Sequence, residues 1–413
     1  MTRVAVVAGC RTPFVKAQTS LRHRSAVELG RHAVEGLLTK AGVDPGAVAE
    51  LHFGWVVTDP TVPHMAREVA FSSSLPASTR AITYSDNCIT GTTAIIAAHD
   101  AIALGRQEIA IAGGTESMSN AAVLVSDRLS DALRESAREK SAWAKLKHLR
   151  GVRLRDLAPQ LPGVKEPSTG LSMGEHTELM VKEWKIGREA QDHVALRSHQ
   201  NAAAATDDGR LVAEIHPFDD VNGDGLIRRD TSFEKLAKLK PVFDRSEQGT
   251  LTAGNSSPLT DGASAVLLMS EERAKAEGKT PLAFLKGFEN VAIDPADGLL
   301  MGPGIAVPRL LRRLGLTLDD MDLVEMHEAF GGQVLCNLAA WERGWKEDAI
   351  GTVPVEKLNV LGSSIAVGHP FAATGGRIVT TLARELARRD ARYGLVSICA
   401  AGAQACAMVL ERA

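Results

Sequence analysis

The stretch Leu37-Leu38-Thr39-Lys40-Ala41-Gly42-Val43 has an echo far downstream in Leu310-Leu311-Arg312-Arg313-Leu314-Gly315-Leu316. Each reads as a helix end stopped by glycine, the residue that tolerates the left-handed conformation a helix C-terminus needs. In both places an acidic turn and an apolar strand follow at the same offset, Leu51 to Gly54 and Val324 to His327. A second pair comes in the same order. Thr90-Gly91 and Thr374-Gly375 open small-residue helices, and each helix leads to a strand ending in small residues. Chance could produce one such match in an Ala/Leu/Gly-rich chain, but two in order point to a duplicated α/β half.

Around these anchors, strands and helices alternate. Val4 to Ala8 reads as a buried strand ended by the turn Arg11-Thr12-Pro13, and Ser25 to Ala41 carries helical periodicity. Leu51 to Val57 is a second strand, Asn87 to Ala103 a small apolar helix with Gly105 as its C′ residue, and Ile109 to Ala112 a third strand. Such alternation predicts an α/β sheet covered on both faces. One half is expected over 1–119 and 249–275, the other over 276–413. Between them 120–248 is polar and broken by Pro159, Pro162, Pro167 and Pro217, which reads as an inserted loop domain containing a helix at Ala190 to Ala204. Lys140, Lys145, Lys147, Arg150, Arg153 and Arg155 interleave there with Trp143, Leu146, Leu149 and Leu154. That run is either a solvated helix face or a basic amphipathic element for a membrane or partner subunit.

The bulk numbers narrow the class. With 413 residues, 45% hydrophobic and a net charge of −3, the chain has ample apolar content for two or three cores and no electrostatic case for nucleic acid. Its five cysteines are scattered with no CxxC spacing, which argues against a disulfide framework and a structural zinc site. The first residues run straight into a strand pattern and no long apolar run follows. The expectation is a cytoplasmic protein, or an organellar one after loss of a transit peptide.

Four places carry chemistry. Cys88, in Ser85-Asp86-Asn87-Cys88-Ile89-Thr90-Gly91, sits where a helix should begin, and helix dipole and free N–H groups there favour thiolate. His369, in Val367-Gly368-His369-Pro370-Phe371, is held on a rigid loop ahead of a small-residue helix and suits a general base. Cys399 ends an apolar strand before Ala400-Ala401-Gly402; alone it reads as a buried hydrophobe, as Cys406 does. Met326-His327-Glu328-Ala329-Phe330 puts a His–Glu pair at a strand end, on the edge where α/β proteins place their sites.

Taken together these motifs resemble the thiolase family, and especially the branch with the β subunit of the trifunctional fatty-acid oxidation enzyme. The likeness extends over nearly the whole chain: Arg11-Thr12-Pro13-Phe14, Asn87-Cys88-Ile89, Ala112 to Met118, Ala237 to Pro241, Thr252 to Ser257, Asp261-Gly262-Ala263, His327-Glu328-Ala329-Phe330, Gly368 to Gly375 and Cys399-Ala400-Ala401-Gly402. The resemblance implies duplicated α/β/α halves packed as a five-layered α-β-α-β-α core with an inserted loop domain contacting CoA, acyl chain and partners. It implies a 3-oxoacyl-CoA thiolase of fatty-acid β-oxidation: Cys88 takes the acyl group, His369 activates it, Cys399 moves a proton, and His327 holds a thioester oxygen. Ser257, Met173 and Phe330 fall at CoA-contacting positions. No metal and no tightly bound cofactor are implied; CoA is a co-substrate, and a homodimer or tetramer is the family habit. The basic 140–155 run is the expected contact for a hydratase/dehydrogenase subunit or a membrane. Other readings are a biosynthetic acetyl-CoA acetyltransferase, a 3-oxoacyl-ACP synthase, and a lipid-binding subunit without activity. Cys399 in its small-residue loop argues against the synthase, and possession of all four groups argues against lost activity. His327 where many members have Asn, and Ala403 and Gln404 after the Cys399 loop, leave the acyl-chain preference open.

Overall fold

The computed structural model describes residues 2–159 and 165–413. They form two compact units, one built from the chain up to Val57, His64–Asn120 and Lys165–Ala413, the other from Thr58–Pro63 and the described part of 121–164. The larger unit opens with β1 (Val4–Arg11), β2 (Val15–Lys16), α1 (Ala26–Ala41), β3 (Glu50–Gly54), α2 (Met65–Ser72), β4 (Arg80–Tyr84), α3 (Thr90–Ala103) and β5 (Ile109–Glu116). The smaller unit holds α4 (Asp127–Arg138) and α5 (Ala142–Leu149). The chain then returns through α6 (Met173–Glu183), α7 (Arg188–Asp207), α8 (Phe233–Ala237), β6 (Thr260–Ser270) and α9 (Glu271–Ala276). The last part runs β7 (Ala283–Ala292), α10 (Pro303–Leu314), β8 (Leu323–Met326), α11 (Gly331–Arg343), α12 (Ser364–Val367), α13 (Thr374–Arg389), β9 (Tyr393–Ala400) and β10 (Gln404–Arg412).

Strand order exposes the duplication. The sheet runs β4-β3-β5-β6-β1-β7-β10-β9-β8, so β3-β5-β6-β1 is matched from the other end by β8-β9-β10-β7. Each run has one parallel pair, β3·β5 or β8·β9, followed by antiparallel pairs. The runs join where β1 meets β7, at Ala5↔Phe284 and Val6↔Ala283. The glycine stops of the repeat behave alike, with Gly42 at φ 56° and Gly315 at φ 65°. At the start of α1, Ser25 Oγ accepts from the Glu28 N–H while Glu28 returns a bond to the Ser25 N–H, a reciprocal cap.

Helices α3 and α13 lie between the two half-sheets. Ile95, Ile96, Ile378 and Leu382 share one buried cluster with Val6, Val266 and Leu268 of the first half and Leu285, Val396 and Met408 of the second. Outside, α1 and α2 cover the first half-sheet, and Ala306, Leu310, Val334 and Trp341 of α10 and α11 pack on Leu395, Ala407 and Val409. This gives the α-β-α-β-α layering. The N-termini of the central helices cross at glycine. A Cβ on Gly91 would stand 2.6 Å from the Ala372 carbonyl oxygen, and one on Gly375 would stand 2.5 Å from the Thr92 nitrogen.

Some boundaries differ from the sequence reading. The strand expected to reach Val57 stops at Gly54: the Trp55 N–H still bonds the Tyr84 carbonyl of β4, but the Val56 and Val57 N–H groups leave the sheet for the Glu116 carboxylate. The stretch expected as one insertion, 120–248, divides. Residues from 165 on belong to the larger unit, where α7 packs on α11 and α12 and Ser198 Oγ donates to Glu328 at 2.6 Å. In the smaller unit neither α4 nor α5 has a buried residue.

If the glycine crossing is a packing constraint, Gly375→Ala should overpack it at a cost of about 1–3 kcal/mol and lower the melting temperature by several degrees. Gly187→Ala, where a Cβ would meet nothing within 4 Å, is the control in thermal unfolding followed by circular dichroism. Equal losses at both positions would count against the constraint.

Candidate active site

The two halves contribute unequally to the region where α3 and α13 begin. Cys88 lies in a 3-10 turn, Asn87–Ile89, just ahead of α3. Thr90 ties that turn down, its hydroxyl accepting from the Asp86 N–H and donating to the Asn87 carbonyl, both at 2.7 Å. Asn87 itself is left-handed, φ 47°, and its side-chain amide donates to the Ala401 carbonyl at 3.0 Å, fastening the Cys88 turn to the β9–β10 hairpin.

His369 follows Gly368, whose φ of 110° and closeness to Leu226 and Thr260 leave no place for a side chain. The His369 N–H donates to Thr260 Oγ1 at 3.0 Å. Its Nε2 lies 3.2 Å from Cys88 Sγ and its Nδ1 lies 2.6 Å from Thr374 Oγ1. The Thr374 hydroxyl is 3.4 Å from the Pro370 carbonyl. With the hydroxyl proton directed there, Nδ1–H donates to Thr374 and Nε2 faces the thiol as an acceptor.

His327 comes one residue after β8, its N–H donating to the Ser397 carbonyl at 2.8 Å. Its ring sits 4.1 Å from that of His369, and Nδ1 lies 2.8 Å from Ser364 Oγ. The Nε2 is buried with no hydrogen-bond partner among the described residues. Cys88 Sγ and one ring nitrogen from each histidine all lie within 4.8 Å of one another. Cys399, near the end of β9, is 1% exposed and shares an apolar cluster with Met301, Phe330 and the partly buried Met173. Ser257 is joined to the loop after β8, its N–H donating to the Ala329 carbonyl at 2.9 Å.

Electrostatics correct one expectation and refine another. Burial pushes the Cys88 thiol up to about 12; the N–H groups of Ala401 and Cys88 pull the other way, and the charge of Glu116 adds to the rise. Desolvation thus outweighs the helix-start effect and favours the thiol over the expected thiolate, although Cys88 is only half-buried. Burial brings His369 down to about 3 and His327 well below its ordinary value, with Arg377 contributing to both. Cys399 is held well above the usual thiol range by burial and by Cys88. The His327–Glu328 motif is therefore no charged pair. Glu328 turns away to accept from Ser198, Asn359 Nδ2 at 2.7 Å and the Ile365 N–H at 3.3 Å, so it organises the loop behind the histidines.

The sequence reading missed the groups that orient these side chains. Thr374 stood in a quoted motif without a role, and Ser364 and Arg377 carried no local signal, because their meaning depends on contacts across the fold. Glu116 is another. It is fully buried, accepts from the Val56, Val57 and Ala372 N–H groups, and is pushed up to about 8 by burial.

A model of the thiolase N-terminal domain matches residues 4–272, and one of the thiolase C-terminal domain matches 279–412. The chain belongs to the thiolase family. Among its relatives, the 3-ketoacyl-CoA thiolases of Aeromonas salmonicida and Yersinia enterocolitica are each 44% identical over 99% of this chain and 97% of their own length. The thiolase fold recurs in solved structures. Acetyl-CoA acetyltransferase of Bacillus anthracis superposes with a TM-score of 0.88 at 31% identity, covering 100% of this chain and 99% of its own. Human mitochondrial 3-ketoacyl-CoA thiolase gives 0.85 at 32% with the same coverage. No helix among the described residues of this thiolase is long and apolar enough to cross a membrane.

Burying neutral histidine links stability to pH. A group whose folded pKa lies below its unfolded value contributes stability that is present above the unfolded pKa and lost as pH falls toward the folded one. For His369 that window runs from 6.5 down toward about 3, with a slope of about 1.4 kcal/mol per pH unit once the unfolded ring is charged. The melting temperature of His369→Asn should therefore fall less between pH 7 and pH 5 than that of the parent protein. Parallel curves would refute the assignment of a neutral buried ring.

Proposed function

We propose that this chain is a 3-oxoacyl-CoA thiolase, transferring an acyl group from a 3-oxoacyl-CoA to a second CoA with release of acetyl-CoA. The curated 3-ketoacyl-CoA thiolases matched end to end support the reaction, and the single geometric observation that carries it is the Cys88 Sγ to His369 Nε2 contact at 3.2 Å. In this reading the Cys88 proton passes to His369 Nε2 as sulfur attacks the 3-oxo carbon. The tetrahedral adduct collapses by breaking the C2–C3 bond. The acyl group stays on sulfur, and the electron pair leaves as the enolate of acetyl-CoA. Cys399 gives its proton to that carbon, and acetyl-CoA departs. The resulting Cys399 thiolate takes the thiol proton of the second CoA, whose sulfur attacks the Cys88 thioester. Acyl-CoA leaves, and His369 returns its proton to Cys88.

Negative charge develops on a thioester oxygen at the cleavage step, where a buried donor acts most strongly. His327 is proposed for that oxygen. Met173, Phe330 and Ser257 are proposed along the CoA channel, supported by the cluster that holds Met173 and Phe330 beside Cys399 and by the bond from Ser257 to Ala329. A condensing acetyl-CoA acetyltransferase is the second reading, favoured by the Bacillus anthracis neighbour.

Thiolysis across a chain-length series of 3-oxoacyl-CoAs tests the function. Cys88→Ala should abolish turnover, Cys399→Ala should stall with reduced release of acetyl-CoA, and His327→Ala should lower kcat by on the order of 10²-fold or more. Turnover of a malonyl-thioester by decarboxylation, or residual activity in Cys88→Ala, would sink the thiolase reading. Activity confined to acetoacetyl-CoA would favour the acetyltransferase.

We also propose that the basic 140–155 element docks on an anionic membrane surface. Trp143 is 80% exposed and Leu154 88% exposed, beside Lys145, Lys147 and Arg150, a pairing of apolar and cationic groups suited to lipid headgroups. Sedimentation with phosphatidylglycerol vesicles should be lost on Trp143→Ala combined with Lys145→Glu and Lys147→Glu. Unchanged sedimentation would end the proposal, and so would capture of a hydratase/dehydrogenase subunit without any vesicle binding.

A further inference from the structure

One buried chain of contacts behind the histidines is not used by the reaction scheme. Arg377, on α13 and 1% exposed, donates from Nη2 to Ser363 Oγ at 3.1 Å and to Ser364 Oγ at 3.0 Å. Its Nη1 lies 3.5 Å from Glu325 Oε2, an ion pair closed off from solvent. Ser364 is fully buried, and among the described residues the other hydrogen-bond partner of its hydroxyl is His327 Nδ1, at 2.8 Å. We infer that Ser364, oriented by Arg377, fixes His327 as the tautomer that carries its proton on Nε2, so that two neighbouring neutral histidines are held in opposite tautomers.

Hydrogen-bond accounting decides the tautomer. A guanidinium can only donate, so one lone pair of Ser364 Oγ is committed to Arg377. The hydroxyl has a single proton, and His327 Nδ1 is the acceptor available to it. Were Nδ1 protonated instead, it would donate to the second lone pair and leave two buried groups unpaired, the Ser364 proton and the bare Nε2, whereas the inferred tautomer leaves only the Nε2–H. The bare Nδ1 therefore leaves the proton on Nε2, the nitrogen that has no partner at rest. Arg377 adds to the effect, because a hydroxyl that accepts from a cation is a stronger donor to its next neighbour. The cation also opposes charging of the ring, in line with the lowered pKa of His327.

Beside it, His369 is arranged the other way by Thr374, whose proton has the Pro370 carbonyl to go to. Two hydroxyls thus assign two roles to two identical side chains with ring centres 4.1 Å apart: a bare Nε2 facing the thiol and a protonated Nε2 reserved for an oxygen. Ser364 and Arg377 are positioning residues, acting through His327. What the tautomer does in catalysis rests on the proposed oxyanion role of His327, whereas the tautomer itself is readable in the resting enzyme.

The test is long-range ¹⁵N–¹H correlation on histidine-labelled full-length protein, with His327→Asn and His369→Asn identifying the two rings. The expected spectrum shows His327 neutral with its proton on Nε2 and His369 neutral with its proton on Nδ1. A parent protein with His327 protonated on Nδ1 overturns the inference whatever any variant does. In Ser364→Ala the Nε2–H form should lose its dominance, and kcat should fall by about 10-fold or more with KM changed much less, as for a weakened oxyanion donor. Arg377→Lys, which keeps the charge, should fall between parent and Ser364→Ala in both readouts. A rate loss with the tautomer unchanged would make Ser364 merely structural and defeat the inference. A changed tautomer with an unchanged rate would uphold the inference and defeat the oxyanion reading of His327.

Discussion

The crossing of α3 and α13 is the constraint on which the rest depends. Helices that start in close contact cannot carry side chains at the contact, so Gly91 and Gly375 are required by backbone approach alone. The turn before one helix holds Cys88 and the loop before the other holds His369. The distance between sulfur and imidazole is therefore set by how closely two backbones can pack, not by flexible side chains reaching for each other. The buried cluster of isoleucines, valines and leucines around both helices then fixes the angle at which they meet. Ser264 reinforces the join by donating from β6 to the Ala373 carbonyl at 2.6 Å.

Desolvation is the second controlling term, and it acts against the intuitive picture of a waiting thiolate. Desolvation favours the protonated form of the half-buried Cys88 sulfur and the neutral form of the buried imidazole beside it. The resting site therefore disfavours charge on Cys88, His369 and His327, and in the proposed reaction a charge pair forms as substrate brings a carbonyl that can absorb the electron pair. In the proposed reaction, a proton donor already fixed beside Cys88 would stabilise the transition state without reorganising. Glu116, behind the thiol, is enclosed by the same packing. Three backbone N–H groups bind its carboxylate, so it serves as a knot joining the end of β5, the residues after β3 and the turn before α13.

Much of this was legible in the chain. The repeat at Leu37–Val43 and Leu310–Leu316 predicted two like halves because glycine stops and strand spacings are local signals, and the matched strand orders carry that pattern. The cysteines and histidines were legible because small residues flank them, a signature of tight backbone approach. The groups that orient the histidines were not. Ser364 and Arg377 are 13 residues apart and meet His327 only through the fold, so neither spacing nor composition could mark them. The thiolate expectation failed for a related reason. The helix-start argument is local, whereas desolvation is summed over every neighbour. The segment after 165, expected as part of one insertion, lies in the larger unit: the α7 helix was legible in its sequence, but its packing on α11 and α12 was not.

Duplication also explains why the chemistry is one-sided. If the strand registers of the halves are overlaid, His327 falls at Gly54 and Cys399 at Thr115, while the turn bearing Cys88 corresponds to the turn Phe371–Ala373. A scaffold built twice offers two equivalent corners, yet the Gly54 corner has no room for a ring, since even a Cβ there would run into the Thr90 side chain and the Tyr84 carbonyl. Thr115 is committed to the Ala26 carbonyl at 2.7 Å. One corner is thus closed by backbone and small side chains and supports the turn carrying the thiol, while the other holds the buried side chains of His327 and Cys399. In the proposed reaction a single acyl group needs a nucleophile on one side and proton carriers on the other, which is the divergence the halves show at these positions while keeping the same helices and strands to hold them.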